Sequence, residues 1–243
     1  MRPFLLLATR EDDGVADAEH AAVLRYGGLA EDELVRVRLE RGPMPPLDPE
    51  GFSGVVVGGS PFCTSDPEAS KPPVQRRVER ELSALLDRVV AADVPFLGAC
   101  YGIGTLGVHR GGVVDRTHGE PIGAVPVTLT DAGRADPLFG ALPPVFDAFV
   151  GHKEALRVPP PGAVVLASSP ECPVQAFRTG GHQYATQFHP ELDVEGIVER
   201  VTVYRGAGYF PPEEYERVVE RLRASRADVP PLLLRRFVER YRR

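Results

Sequence analysis

Short runs of aliphatic and β-branched residues alternate along this 243-residue chain with longer stretches whose apolar positions recur at helical spacing. That alternation predicts an α/β protein built on a mainly parallel sheet. Residues 4–8 read as the first strand, 16–26 as a helix stopped by Gly27-Gly28, and 34–39 as a second strand. Residues 54–57 are short and continuously apolar, the pattern of a strand covered on both faces. The strongest helix spans 72–92, where Val78, Leu82, Leu85 and Val89 lie on one stripe and Ser70 offers a cap. A strand at 95–98 and a helix at 101–108 follow. Further strand-like pieces fall at 112–114, 125–129, 148–150, 164–167, 174–177 and 184–188. Helical patterns at 194–204, 212–224 and 231–243 close the chain.

Charge narrows the function classes. With 28 basic and 34 acidic side chains, the net charge of −6 disfavours a general nucleic-acid binder, which needs clustered positive charge. The last thirteen residues hold five arginines against Glu239, a run that reads as a solvated helix face or a partner contact. Three cysteines cannot form a fully paired disulfide framework, and acidic residues follow the short apolar start at once. No apolar stretch approaches the ~18–20 residues that span a bilayer. The expectation is a cytoplasmic protein with no membrane segment.

Three segments could carry chemistry. In Gly98-Ala-Cys100-Tyr-Gly102, a buried strand runs into a helix through a frame of small residues, the cysteine version of a nucleophile elbow. The helix start favours a thiolate there, and the Tyr101 N–H is placed to serve an oxyanion. The glycine frame alone fits a buried, inert cysteine equally well. The second segment is Phe188-His189-Pro190-Glu191, where a strand-end histidine could act as a base oriented by Glu191. In isolation, a satisfied edge histidine is the commoner explanation. A zinc-deaminase reading fails because no Cys-x-x-Cys accompanies it, and no ligand-spaced cluster suggests another metal. The third segment, Gly58-Gly59-Ser60, lacks the Gly-Lys-Ser/Thr of a phosphate loop. A backbone loop approaching a reacting carbonyl, or simply a tight turn, remains.

Together these segments resemble the class I glutamine amidotransferases, in which a Gly-Gly loop, a Gly-x-Cys-x-Gly elbow and a Phe-His-Pro-Glu follow in this order. The resemblance runs from about Phe4 to Glu191. It implies a flavodoxin-like, open, mostly parallel twisted sheet with helices on both faces, plus C-terminal helices. It implies Cys100 as nucleophile, His189 as base and Glu191 as its orienting partner. Gly59 and Tyr101 would supply the oxyanion hole, and Gly58, Gly104 and His152 would lie at the substrate. No metal or organic cofactor is implied. Two positions depart from the family pattern: Gly104 stands where a substrate-holding glutamine is usual, and Ser60 where proline is. The smaller residue at 104 suggests a roomier pocket.

The expected activity is release of ammonia from glutamine for a synthetase on another chain. The alternatives are a stand-alone hydrolase of γ-glutamyl amides and a non-catalytic binding module. The expected organisation is an amidotransferase-like domain over 1–193 with a helical extension over 194–243 packed on it, and no fused synthetase. The arginine-rich final helix is the expected docking surface for a partner, and a homo-oligomer stays open.

Overall fold

The computed structural model describes residues 2–243. In chain order its strands are β1 (Phe4–Ala8), β2 (Leu34–Arg38), β3 (Gly54–Val57), β4 (Phe96–Ala99), β5 (Val113–Asp115), β6 (Glu120–Leu129), β7 (Val145–His152), β8 (Ala155–Val158), β9 (Val164–Ser168), β10 (Ala176–Thr179) and β11 (Gln183–Thr186). The helices are α1 (Asp13–Gly27), α2 (Pro73–Ala91), α3 (Tyr101–His109), α4 (Asp131–Ala135), α5 (Val194–Val203), α6 (Tyr215–Ala224) and α7 (Pro230–Tyr241).

Nine strands form one sheet in the order β2-β1-β3-β4-β11-β10-β9-β6-β7, and β5 pairs with β8 beside it. From β2 to β11 every ladder is parallel. Beyond β11 the ladders are antiparallel, so β10 and β6 run against the other seven strands. This is the α/β architecture that the alternating pattern predicts, in the flavodoxin-like form that the family resemblance implies.

The period-2 geometry of the strands sorts their side chains into two cores. Phe4, Leu6, Val56 and Leu97 face α1 and α7. Leu5, Leu7, Val55, Val57 and Phe96 face α2 and α3. A third cluster gathers Phe149 of β7 with Ile197 and Val201 of α5 and Val218 and Leu222 of α6.

Several boundaries differ from those read in the sequence, each for a local reason. Helix α1 starts earlier because Asp12 caps it, accepting from the Val15 N–H at 2.9 Å. Ser70 does not cap α2; its hydroxyl donates to the Pro67 carbonyl, and α2 starts at the second of two prolines. Strand β6 extends back to Glu120, through residues whose polar and glycine content masks the alternation. Strand β8 and the short helix α4 carry too few residues to show a period.

Helix α7 is a core element. Leu233, Leu234, Phe237 and Val238 are buried, and Phe237 meets Phe4 with ring centroids 6.1 Å apart. Arg235 of this helix and the two arginines that follow it tie the end of the chain to the body rather than standing free. Arg235 donates to the Tyr26 carbonyl, Arg242 to the Gly28 carbonyl and Arg243 to the Phe52 carbonyl. Among the described residues no helix is long and apolar enough to cross a membrane.

Candidate functional site

The carboxyl ends of the parallel strands converge on one spot, the usual place for a site in an open α/β sheet. Ala99 of β4 pairs with Thr186 of β11, and Cys100 follows the first while His189 lies three residues after the second. Cys100 sits between β4 and α3 with φ 53° and ψ −92°, a conformation that a non-glycine residue adopts only under strain. Its N–H donates to the Thr186 carbonyl at 2.8 Å, which fixes the turn to the neighbouring strand.

The turn also explains its glycines. A Cβ on Gly98 would lie 2.7 Å from the Gly102 backbone, and one on Gly102 would lie 3.0 Å from the Val57 carbonyl oxygen. The strand and the first turn of α3 therefore touch, and this contact pushes the Cys100 side chain out at the helix start.

His189 is buried, and its N–H donates to the Phe149 carbonyl at 3.1 Å. Its Nδ1 lies 2.8 Å from Oε1 of Glu191. Arg200 Nη1 also lies 3.1 Å from this Nδ1, but the shorter contact is to a carboxylate that only accepts, which assigns the proton to Nδ1 and leaves the lone pair on Nε2. Burial lowers the His189 pKa below its ordinary value, against the upward pull of Glu191. Burial alone would raise Glu191, but His189 and Arg200 hold it well below the usual carboxylate range.

Arg200 and two further residues extend this pair into a buried charged network that the motifs do not disclose. Arg200 Nη1 donates to Glu191 Oε1 at 3.0 Å, and Nη2 donates to Glu19 Oε1 at 3.3 Å. Arg10 Nε donates to the same Glu19 oxygen at 3.4 Å. Sequence signals for two of them existed. Arg200 falls between Ile197 and Val201 on the buried face of α5, and Glu19 falls between Val15 and Val23 on that of α1. A charge inside an apolar helical stripe is costly unless it is paired.

Cys100, His189, Arg10 and Arg200 line one cavity of about 30 Å³, room for roughly one water molecule. The segment 204–210 closes it with Tyr204, Tyr209 and Phe210. Lys153 holds that segment, donating to the Ala207 carbonyl at 2.6 Å with its ammonium 4.8 Å from the Tyr209 ring centre. Burial pushes the Cys100 thiol up to about 12, with Arg10 pulling it down. The thiol and the imidazole are thus neutral at rest.

The other residues singled out in the sequence divide. Gly59 stands at the site: a Cβ there would lie 2.7 Å from His189 Cε1 and would overlap Arg10 Nη2. Tyr101 opens α3 directly after Cys100, with its side chain buried edge-on against Phe62. Gly58 commits its N–H to the Leu7 carbonyl at 3.2 Å, and a Cβ there would lie 2.7 Å from Glu19. Its demand for glycine therefore comes from the charged network.

Gly104 does not open a pocket. A Cβ there would lie 2.5 Å from Thr64 Oγ1, so Thr64 already occupies the space. Thr64 and Glu154 are joined as well: one Glu154 oxygen accepts from the Thr64 N–H and hydroxyl, and the other accepts from the Ser65 N–H. His152 is buried and faces acceptors at both ring nitrogens, the Glu154 carbonyl at 2.9 Å and Glu120 at 2.8 Å. Glu120 also accepts from Ser169 and Gln175. His152 thus anchors the β7–β8 turn and presents no free ring nitrogen. Cys63 and Cys172 are buried, and burial raises their thiols to about 11 and about 12.

Residues 43–196 match the sequence profile of Glutamine amidotransferase class-I. A GMP synthase [glutamine-hydrolyzing] from Thermosipho africanus is 29% identical over 182 residues, covering 70% of this chain and 32% of the relative. The enzyme of the same name from Parafrankia is 36% identical over 144 residues, 57% of this chain and 26% of the relative. The chain thus spans a third or less of the length of these relatives. Among solved structures, a glutamine amidotransferase from Thermotoga maritima superposes with a TM-score of 0.77 at 21% identity, covering 99% of this chain and 98% of the other. A glutamine amido transferase from Methylobacillus flagellatus gives a TM-score of 0.73 at 19% identity, covering 99% and 94%. The profile match spans more than half of the sequence, and the chain belongs to the class-I glutamine amidotransferase family.

Proposed function

We propose that this protein hydrolyses the γ-carboxamide of glutamine through a thioester on Cys100 and releases ammonia for an acceptor enzyme on another chain. The observation that carries the reading is the strained Cys100 elbow on β4 sharing one cavity with the His189–Glu191 pair that follows β11.

The chemistry follows from the resting charges. His189 Nε2, left unprotonated by the Nδ1–H to Glu191, takes the thiol proton as the sulfur attacks the carbonyl carbon of the γ-carboxamide. Glu191 stabilises the imidazolium that forms. Negative charge grows on the carbonyl oxygen, and the backbone N–H groups of Gly59 and Tyr101 receive it. One such donor contributes about 3–4 kcal/mol in comparable sites. The imidazolium then gives its proton to the departing nitrogen, and the C–N bond breaks to leave the γ-glutamyl thioester and ammonia. His189 next activates water, the thioester C–S bond breaks, and glutamate leaves with the thiol restored.

The relatives' name, GMP synthase [glutamine-hydrolyzing], pairs glutamine hydrolysis with a synthesis, and this chain matches only a third or less of their length. The pairing in that name supports an ammonia-accepting activity that works with this domain. A second reading, a stand-alone hydrolase of γ-glutamyl amides, draws on Gly104 standing where the family usually holds glutamine with a side chain, although Thr64 fills the space beside it and leaves the pocket no larger. Glutamate release from glutamine, measured for wild type and Cys100→Ala, tests the chemistry; equal rates would sink it. A panel of N-substituted γ-glutamyl amides separates the two readings. Preference for substituted amides over glutamine would favour the stand-alone hydrolase.

A further inference from the structure

Arg10 is a charge that neither the family motifs nor the proposed triad explains. It follows β1 and turns inward, so its side chain is only 6% exposed. Its one carboxyl partner is Glu19, at 3.4 Å and shared with Arg200; burial raises the Glu19 pKa, and the two guanidiniums pull it back toward the ionised form. The rest of the guanidinium lies on the side of the cavity that holds Cys100 and His189. Nη2 occupies the space where a Gly59 side chain would begin, next to His189 Cε1, and Arg10 lines the same cavity as Cys100. The Arg10 guanidinium also lies 5.8 Å from the centre of the Tyr204 ring.

We propose that Arg10 stabilises negative charge at Cys100, acting as the fixed cation that makes the thiolate accessible during attack. The proposal deepens the reading of Cys100 as nucleophile and rests on it. The physical need is plain. Attack requires a thiolate, and a thiolate in so small a cavity, lined by Val150, Ile197 and Val201, is costly unless a cation lies near it. The groups that act on Cys100 are Arg10 after β1, Arg200 on α5, His189 and Glu191 after β11, Glu154 before β8 and Tyr209 in the closing segment. Arg200 is already bound to Glu191 and Glu19, and Glu154 and Glu191 oppose a thiolate. Arg10 is the cation with the fewest competing partners.

Alkylation by iodoacetamide tests this without any substrate, with mass spectrometry separating Cys100 from Cys63 and Cys172. Below the thiol pKa the rate follows the thiolate fraction. Arg10→Gln is expected to slow Cys100 alkylation roughly tenfold between pH 7 and 9, the effect of one pKa unit, and Arg10→Lys is expected to restore most of it. Glutamine is smaller than arginine, so a purely steric effect would speed the reaction instead. Glu19→Gln removes the anion that neutralises Arg10 and is expected to act in the opposite direction, raising the rate. This second variant decides the matter if Arg10→Gln does not fold. Unchanged or faster alkylation in Arg10→Gln, or unchanged or slower alkylation in Glu19→Gln, would overturn the proposal. A wild type inert toward glutamine that still shows both shifts would sink the proposed reaction and leave the Arg10 effect standing.

Discussion

Arg200 donates to Oε1 of Glu191 at 3.0 Å, and the same oxygen takes the His189 Nδ1–H at 2.8 Å. Helix α5 thus reaches back to orient the histidine that lies just before it in the chain. Removing Arg200 leaves Glu191 and Glu19 buried with less compensating charge. Arg200→Met is expected to lose about 3–5 kcal/mol of stability, the usual result of breaking a buried ion pair from one side. Urea unfolding measures it. A loss below about 1 kcal/mol would mean that the network is not a structural unit.

The pH profile follows from the buried histidine. Burial favours the neutral ring and outweighs Glu191, so His189 stays unprotonated to lower pH than an ordinary histidine. In the proposed reaction His189 accepts the thiol proton and must be neutral, so activity is expected to fall only as pH drops through its lowered pKa. The acid limb of kcat/KM is therefore expected below the ordinary histidine value of about 6.5. An acid limb clearly above that value would show that Glu191 dominates instead.

Gly98→Ala tests the elbow. The new Cβ would meet the Gly102 backbone at 2.7 Å, and neither partner is a flexible side chain. Overpacking of this kind costs about 1–3 kcal/mol, and the displaced turn would carry Cys100 with it. The expected outcome is a lower melting temperature and a loss of glutaminase activity larger than the stability loss explains. Full activity in this variant would refute the tight strand–helix contact as the device that presents Cys100.

Much of this arrangement was legible in the sequence because it rests on local rules. The apolar run of β3, the stripe of α2 and the glycine frame around Cys100 each follow from spacing alone. What escaped was long-range. Arg10 in the loop after β1, Glu19 of α1 and Arg200 of α5 meet only in the folded chain; the buried stripes mark the last two as charges needing partners but do not say which. Thr64 gave no sign that it fills the space beside Gly104, because a glycine is silent about its neighbour. His152 lies in a family-like segment, yet its two nitrogens are taken by Glu120, 32 residues away, and by the nearby Glu154 carbonyl.

The final helix is a case in which the fold changes the experiment. Its arginine-rich sequence suggests a detachable docking surface, but Phe237 is buried beneath it against Phe4 and Tyr241. Phe237→Ala is expected to cost about 3–5 kcal/mol in urea unfolding. Deleting residues 231–243 would test folding rather than partner binding. Arg236 and Arg240, substituted singly by glutamine, are the better probes of docking, with an expected stability change within about 0.5 kcal/mol.

The central claim is a covalent γ-glutamyl intermediate on Cys100. A glutamine-analogue electrophile, incubated with the native protein and followed by peptide mass spectrometry, addresses it directly. The account predicts one adduct, on Cys100, formed far faster than any on Cys63 or Cys172 and blocked by excess glutamine. Labelling of all three cysteines at similar rates, or labelling indifferent to glutamine, would contradict it.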